Sequence, residues 1–338
     1  MCKVSVVTSI YNGEKYIGET IESIIQQTFT DWEYIIIDNA STDASPKIIE
    51  DYAKQDARIR FYRNDNNIGV AENLNQCFDL THGKYIARTD ADDLSYPSRL
   101  EKQFQYMEAH PRIALLGCNM DIWNRGVIEH NTDNTAMLNN SSEMRFVLPF
   151  TNIIGASTFF IRNDVIKNYN IRYSPYIYAE DFSLLLDILK FGEICSLDEP
   201  LVLYRMHQGQ VTQTVGVTVM AQERKRIQRA FLEFFPPELR GIFLKAFNGE
   251  IDSGADMLKL EQAIFQYAGD CGLGQDTDEL ARKRCVQYVY RYVYNWQIGN
   301  LGLLSAYIKS PLKSPFWFMK RSGLSLIKQC LLQAKKGW

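Results

Sequence analysis

Three carboxylates lie within four positions at the end of a strand-like run, in the sequence YIARTDADDLS at residues 85–95. Asp90, Asp92 and Asp93 repel one another at neutral pH, so crowding them together suggests that they hold a positive charge. A hard divalent cation prefers oxygen ligands and takes its remaining ligands from water and substrate phosphates. The pattern therefore favours an Asp-x-Asp site for Mg²⁺ or Mn²⁺, with a solvated turn or a helix cap as the alternative.

Two other ways of using these residues do not fit. Asp90, Asp92 and Glu101 occupy the first, third and twelfth positions of a calcium-binding loop, but Ser95 replaces its glycine and Pro97 interrupts it. No glycine-rich phosphate loop follows the first strand-like run, and no Walker-type Gly-Lys-Ser/Thr loop occurs in the sequence. Phosphates must then be held by a metal and by side chains.

Three further fragments carry groups that can do chemistry. Asp38, in DNASTD, either accepts hydrogen bonds from a base or ribose or caps the next helix. Asp181, in AED, either complements a helix dipole or acts as a general base that removes a proton from a hydroxyl. His207, in RMH, is either a structural histidine or a contact for metal or phosphate.

The elements that position these fragments alternate between strand and helix patterns, which predicts an α/β fold with a doubly wound, mostly parallel sheet. In such a sheet ligands bind beyond the carboxyl ends of the strands, where these polar fragments occur. The predicted strands are Val4–Thr8, Tyr34–Ile37, Ile59–Tyr62 and Tyr85–Thr89; the predicted helices are Pro46–Lys54 with Ser45 as its N-cap, Val70–Leu80 and one opened by Pro97.

The second half has a mixed pattern that becomes helical beyond about residue 216. We expect a domain at residues 1–215 and a helical C-terminal region at 216–338. The predicted elements before the boundary are strands Ala114–Met120, Ser157–Ile161 and Leu201–Met206, and a helix with Phe182 and Leu189 on its inner face.

The order and spacing of these fragments over about residues 3–210 resemble the family 2 glycosyltransferases, which have the GT-A (Rossmann-like) fold. The matching segments are VSVVTSIYNGEKYIGETIESIIQQTFTDWEYIIIDNASTD, NNIGVAENLN, GKYIARTDADD, AEDFSLLLDILKFG and LYRMH. The resemblance implies transfer of a sugar from a nucleotide-sugar donor, with a UDP-sugar favoured, to a glycan or lipid-linked acceptor. It also implies inversion at the anomeric carbon and a Mg²⁺ or Mn²⁺ cofactor.

The same resemblance implies roles for individual residues. Asp181 is the implied catalytic base, and Asp92 and His207 are the implied metal contacts. The implied nucleotide-sugar contacts are Thr8, Tyr11, Asn12, Asp38, Asn67, Asp90, Ala91 and Arg205. The sequence departs from the family pattern at Ser9, where proline is usual, at Asp38-Asn39-Ala40 in place of Asp-Asp-Gly, and at Ala156 in place of a histidine.

Charge is distributed unevenly along the chain. Residues 1–280 hold all 40 acidic side chains and 26 of the 37 basic ones, whereas the last 58 residues hold 11 basic side chains and no acidic one. Interleaved aromatic residues predict docking of this basic tail on an anionic membrane surface, with a packing subdomain as the alternative. The acidic first 280 residues argue against nucleic acid as a partner. Seven scattered cysteines and the absence of a signal-peptide pattern predict a cytoplasmic protein, peripheral at the inner face of the membrane.

Two function classes follow. One is a metal-assisted glycosyltransferase for cell-surface polysaccharide or glycoconjugate synthesis. The other is a nucleotide-sugar-binding pseudoenzyme or a nucleotidyltransferase. Asp181 separates them, because a binding protein has no need of a base and a nucleotidyltransferase has none on the acceptor side.

Overall fold

The structure is a computed structural model that describes residues 2–124, 126–130, 140–176, 179–207, 209–210, 217–251 and 253–273, together with 285, 286 and 289. The chain forms two compact units, Met1–Met144 with Asn152–Glu223 and Arg145–Thr151 with Arg224–Trp338. The boundary that we expect near residue 215 stays a prediction.

In the first unit, nine strands of the described chain form one sheet. They are β1 Val4–Ile10, β2 Trp32–Asp38, β3 Ile59–Arg63, β4 Tyr85–Arg88, β5 Leu94–Ser95, β6 Ile113–Asn124, β7 Val127–Glu129, β8 Phe160–Arg162 and β9 Glu193–Met206. Their order is β3-β2-β1-β4-β8-β6-β9-β5, and β7 pairs with β6 outside this path. Parallel pairing joins the first four strands, while β8 is antiparallel to both β4 and β6.

Helices alternate with these strands, as the sequence predicts. In chain order they are α1 Ile17–Ile25, α2 Ser45–Gln55, α3 Val70–Leu80, α4 Arg99–Ala109, α5 Ser141–Val147, α6 Asn163–Asn168, α7 Glu180–Leu189, α8 Val217–Ala230, α9 Arg240–Asn248 and α10 Gly254–Asp270.

Isoleucine-rich segments build the core of the first unit. Every residue of β2 is buried, which is typical of a parallel strand covered on both faces. Ile17, Ile21 and Ile24 recur at helical spacing along α1 and are fully buried. They pack in one cluster with Val4, Val6 and Ile36 of the sheet. This burial fixes the register of the central strands and therefore the position of the loops that follow them.

The carboxyl ends of the central strands meet at one edge of the sheet. Strands β2 and β3 extend the sheet on one side of β1, and β4 extends it on the other side. A crevice forms beside β1, where the strand order reverses. Because β8 is antiparallel to β4 and to β6, and β9 is parallel to β6, the end of β9 lies at the same edge. The predicted doubly wound, mostly parallel sheet is confirmed, and β5, β7 and β8 are the strands that pair antiparallel to their neighbours.

Three local predictions are wrong in detail. Ser45 is the first residue of α2 and not its N-cap, and its hydroxyl accepts a hydrogen bond from the Gly13 amide at 2.9 Å. Helix α4 begins at Arg99, two residues after Pro97. The predicted strand at 157–161 begins only at Phe160, because a 3-10 turn over Ala156–Thr158 precedes it.

The second unit has an aromatic core. The ring centroid of Phe150 lies 5.3 Å from that of Phe235 and 6.1 Å from that of Tyr267. Phe243 and Phe247 pack against the same ring. The Gln228 amide donates to the backbone oxygen of Phe150 at 2.6 Å. Most of the basic tail lies outside the described residues, so its predicted amphipathic helix is not described. Among the helices that the structure does describe, none is both long and apolar enough to cross a membrane.

Candidate active site

The loops after β1 and β2 are joined by hydrogen bonds. The Asn12 amide donates to Ser41 Oγ at 2.8 Å, and the Thr42 amide donates to Asn12 Oδ1 at 2.8 Å. Asn12 and Ala40 adopt positive φ angles of 54° and 65°. Asparagine tolerates this left-handed conformation, whereas alanine is strained there by roughly 1 kcal/mol or more. This explains why glycine is usual in the family at the position of Ala40.

Asp38 ends β2 and is fully buried. Both of its carboxylate oxygens accept the Ser41 amide at 3.2 Å, and Arg63 Nε lies 3.1 Å from Oδ2. The carboxylate thus lies at the predicted nucleotide edge while also organising its own loop. The side chain of Tyr11, 51% exposed, is accessible at the same edge.

Two of the predicted nucleotide contacts are engaged within the protein. Thr8 is buried, and its hydroxyl donates to the backbone oxygen of Thr89 at 2.7 Å. Asn67 Oδ1 accepts hydrogen bonds from Asn39 Nδ2 at 2.9 Å and from the Gly69 amide at 3.0 Å. Thr8 therefore joins β1 to the start of the DADD loop, and Asn67 supports the loop after β3.

The DADD loop, residues 90–93, follows β4. Asp92 Oδ2 lies 2.9 Å from His207 Nε2, so residues that are far apart in sequence meet in one place. Asp93 is almost fully buried, and its Oδ1 accepts the Arg205 amide at 3.1 Å. The backbone oxygen of Ala91 accepts the Thr20 hydroxyl at 2.9 Å, which fixes the loop against α1.

Burial and mutual repulsion make these carboxylates hard to ionise. Burial and the negative charge of Asp90 raise the pKa of Asp92 above its ordinary value, and the hydrogen bond from His207 opposes this effect. Burial and the charges of Asp92 and Asp90 also raise the pKa of Asp93. An added positive charge therefore stabilises the ionised loop.

Arg205 extends from the end of β9 toward the same loop. Its guanidinium lies between the rings of Tyr16 and Trp123, 4.9 Å and 4.7 Å from their centroids. Nε donates to the backbone oxygen of Asp92 at 3.0 Å, and Nη2 donates to Glu19 Oε2 at 2.8 Å. The guanidinium thus has a fixed plane and position beside the predicted diphosphate site.

Asp181 lies in the first turn of α7 and is half-buried. Its Oδ1 accepts the Phe182 amide at 2.7 Å, and its Oδ2 accepts Asn152 Nδ2 at 2.8 Å. Burial and the negative charge of Glu180 raise the pKa of Asp181 to about 7, against the opposing charge of Arg88. A carboxylate with this pKa is suited to accept a proton near neutral pH.

Arg88, at the end of β4, connects the two groups of carboxylates. Its buried guanidinium donates to Asp90 Oδ1 at 2.9 Å and lies 3.5 Å from Glu180 Oε1. Tyr173 completes the surroundings, with its hydroxyl 3.3 Å from Nη1 and its ring centroid 5.4 Å from the guanidinium carbon. One cation thus lies between the DADD loop and the start of α7.

Several residues that contact the predicted site residues were not predicted from the sequence. Arg88 and Glu180 are present in the matching segments, but nothing in their spacing shows that they pair. The other missed contacts are Tyr16 and Glu19 at Arg205, and Asn152 at Asp181. Polar residues next to a predicted strand end or helix start are the signal that finds such partners.

Asp92 and His207 are the predicted metal contacts and would hold a divalent cation at the DADD loop. The Asp92 carboxylate is an oxygen ligand of the kind that Mg²⁺ and Mn²⁺ prefer, His207 Nε2 lies 2.9 Å from it, and the burial of Asp92 favours a positive partner. Within the described part of the chain, no cluster of three His, Cys, Asp or Glu side chains forms a metal site by itself. The pair therefore fits a cation that takes its other ligands from water and diphosphate oxygens.

Solved structures with a similar fold bind nucleotide sugars. S. aureus TarS residues 1–349, in complex with UDP-GlcNAc, aligns with a TM-score of 0.60 and 17% identity, covering 87% of this chain and 89% of that chain. The mannosyltransferase PcManGT from Pyrobaculum calidifontis, in complex with GDP-Man and Mn²⁺, aligns with a TM-score of 0.55 and 17% identity, covering 91% and 87%. At this identity the likeness shows the fold, which confirms the predicted GT-A fold.

Sequence comparison identifies the family. The model for glycosyl transferase family 2 matches residues 5–169. An uncharacterized glycosyltransferase of Haemophilus influenzae is 32% identical over 264 residues, covering 72% of this chain and 77% of that protein. The O-antigen biosynthesis glycosyltransferase WbnJ of Escherichia coli is 31% identical over 213 residues, covering 60% and 80%. This chain, with its GT-A sheet and its carboxylates at one edge, therefore belongs to glycosyltransferase family 2 and is a glycosyltransferase.

Proposed function

We propose that this glycosyltransferase inverts the anomeric carbon of a nucleotide-diphosphate sugar as it transfers the sugar to an acceptor hydroxyl, with Asp181 as the general base. The observation that carries the proposal is the Asp181 carboxylate in the first turn of α7, where the Phe182 amide and Asn152 Nδ2 orient its two oxygens. Its pKa of about 7 suits proton removal near neutral pH. Asp181 Oδ2 accepts the hydroxyl proton as the acceptor oxygen forms its bond to the anomeric carbon. The bond from that carbon to phosphate breaks, and the nucleoside diphosphate leaves with the bonding electrons.

Asp92 and His207 would hold a divalent cation beside the leaving group in this proposal. When bound, Mg²⁺ or Mn²⁺ supplies positive charge to the departing diphosphate, so that the leaving oxygen needs no proton. Arg205 adds a fixed guanidinium at the same edge, held between two aromatic rings. One carboxylate is then enough on the acceptor side, and Asp181 takes this role in the proposal.

The donor side is assigned to the loops after β1, β2 and β3. Tyr11, Asn12 and Asp38 lie at the edge where the base and ribose are expected, and Asp90 continues this edge toward the sugar. We favour a UDP-sugar, in keeping with the UDP-GlcNAc complex of TarS, with GDP-sugars as the second class to test. The O-antigen role in the name of WbnJ supports cell-surface polysaccharide or glycoconjugate synthesis, with a glycan or lipid-linked acceptor.

We expect the basic tail to hold the protein at an anionic membrane surface on the cytoplasmic side. Each Lys or Arg near such a surface contributes about 1 kcal/mol, so a few of the 11 cations are enough for reversible binding. Co-sedimentation with anionic vesicles, reversed by high salt, is the expected result. Equal binding to neutral vesicles contradicts an electrostatic anchor.

A donor screen tests the proposed function. The full chain is incubated with a panel of UDP-sugars and GDP-sugars in the presence of Mn²⁺, and release of the nucleoside diphosphate is measured. We expect release from one nucleotide class, dependent on the cation and accelerated by a hydroxyl acceptor. Release that is unchanged in excess chelator would falsify the metal-assisted mechanism, and nucleoside monophosphate as the product would indicate a different reaction.

A further inference from the structure

The carboxylate of the proposed base is held by a side chain from outside its own helix. Asp181 Oδ2 accepts a hydrogen bond of 2.8 Å from Asn152 Nδ2, whereas Oδ1 accepts the adjacent Phe182 amide. A carboxylate oxygen has room for two hydrogen bonds, so the contact with Asn152 leaves a position on Oδ2 for an incoming hydroxyl. The two contacts together fix the orientation of the carboxylate plane.

The amide of Asn152 is itself oriented. Its Oδ1 accepts the backbone amide of Ile154 at 3.0 Å, which places the Nδ2 group toward Asp181. The reversed amide would place an oxygen against the carboxylate and lose both hydrogen bonds. The local turn therefore makes Asn152 a donor to the base.

The segment that carries Asn152 also contacts the DADD loop. The Asp90 amide donates to Ser157 Oγ at 3.2 Å, and the Ser157 hydroxyl donates to Asp93 Oδ2. Gly155, between the two contacts, packs so closely that a Cβ atom there would lie 2.4 Å from Met120 Cε. The segment thus connects the Asp181 carboxylate to the DADD loop through hydrogen bonds at both of its ends.

We propose that Asn152 is a positioning residue that aims Asp181 Oδ2 at the acceptor hydroxyl and stabilises its ionised form. The proposal rests on the proposed function, in which Asp181 is the base. A neutral amide is suited to this task, because a cation in its place would stabilise the carboxylate too strongly for it to take a proton. The nearby cation, Arg88, instead donates to Asp90 and lies beside Glu180.

Kinetics of Asn152→Ala against pH test this role. Hydrogen bonds to charged groups are worth enough for us to expect a loss of roughly 10–100-fold in kcat, with donor KM within about twofold. Without the amide donor the carboxylate holds its proton more tightly, so the acidic limb of the kcat/KM profile should move to higher pH. Asn152→Asp adds a negative charge next to Asp181 and should move the limb further in the same direction.

Asn119→Ala is the matched control. It removes the same amide from a buried site, where Asn119 Nδ2 donates to the backbone oxygen of Asp198 at 2.8 Å. Thermal unfolding of all variants reports lost stability, and we expect the control to lower the melting temperature without moving the limb. If Asn152→Ala does not fold, the Asp variant provides the same test of the limb.

The outcomes separate this inference from the function on which it rests. An acidic limb at the wild-type position in both folded Asn152 variants overturns the positioning role, even if kcat falls. Wild-type turnover in Asp181→Asn instead overturns the assignment of the base. An inactive Asp181→Asn together with a fully active Asn152→Ala leaves the function standing and contradicts only the role of Asn152.

Discussion

The DADD loop and the start of α7 are both crowded with carboxylates, but their charge is compensated in different ways. At α7, the buried guanidinium of Arg88 lies 3.5 Å from Glu180 and lowers the pKa of Asp181 against the effects of burial and Glu180. At the DADD loop, the ion-pair partner of Asp92 is His207, an imidazole that is charged only when protonated. The guanidinium of Arg88 is shared between Asp90 and Glu180, whereas the side-chain partner of Asp92 is the imidazole of His207.

This difference suits two different tasks. A base must remain protonatable, and the partial compensation by Arg88 leaves the pKa of Asp181 at about 7. A metal site must favour an external cation, and burial together with the charge of Asp90 raises the pKa of Asp92, so that an added cation stabilises its ionised form. Both groups lie at one edge of one sheet, so the same fold positions a proton acceptor and a cation ligand with opposite electrostatic requirements.

Removing the metal ligand should have the largest effect. Asp92→Asn keeps the shape of the side chain but removes the charge that the cation needs. Losing several kcal/mol of leaving-group stabilisation corresponds to a loss of roughly 10³-fold or more in turnover. EDTA should inactivate the wild-type protein, and added Mn²⁺ should restore activity.

Asp79→Asn is the control for a single lost carboxylate. Asp79 is exposed and pairs with Arg172 at 2.7 Å on the surface, so its neutralisation should leave turnover unchanged. Wild-type turnover in Asp92→Asn, or full activity in excess EDTA, contradicts the account of the DADD loop.

The sequence predicts those parts of the fold that depend on the hydrophobic periodicity of strands and helices. Alternating strands and helices predict that Asp38, the DADD loop and the end of β9 meet at one edge, because parallel strands end on the same side. The hydrophobic pattern also places Asp181 in the first turn of a helix. These predictions need the order of the elements and no detail of their contacts.

Contacts between distant loops could not be predicted in this way. Asn152 and Asp181 are 29 positions apart, and their hydrogen bond depends on how the 152–158 segment packs against Met120. Thr8 is a similar case, since its hydroxyl donates to Thr89 from the adjacent strand. The positive φ of Ala40 could not be predicted from the sequence either, because alanine does not indicate a left-handed turn.

The pH dependence of kcat/KM in the wild-type protein and in Asp181→Asn tests the central claim most directly. The base acts only when ionised, so wild-type activity should be present above the pKa of about 7 and fall as the pH drops through it. Asp181→Asn should retain donor affinity, lose about 10²–10⁴-fold in turnover and lose this limb. Asp187→Asn, on the same helix, neutralises a carboxylate that pairs with Lys190 and should behave as wild type. A limb near pH 7 that persists unchanged in Asp181→Asn, with turnover close to wild type, contradicts the assignment of Asp181 as the base.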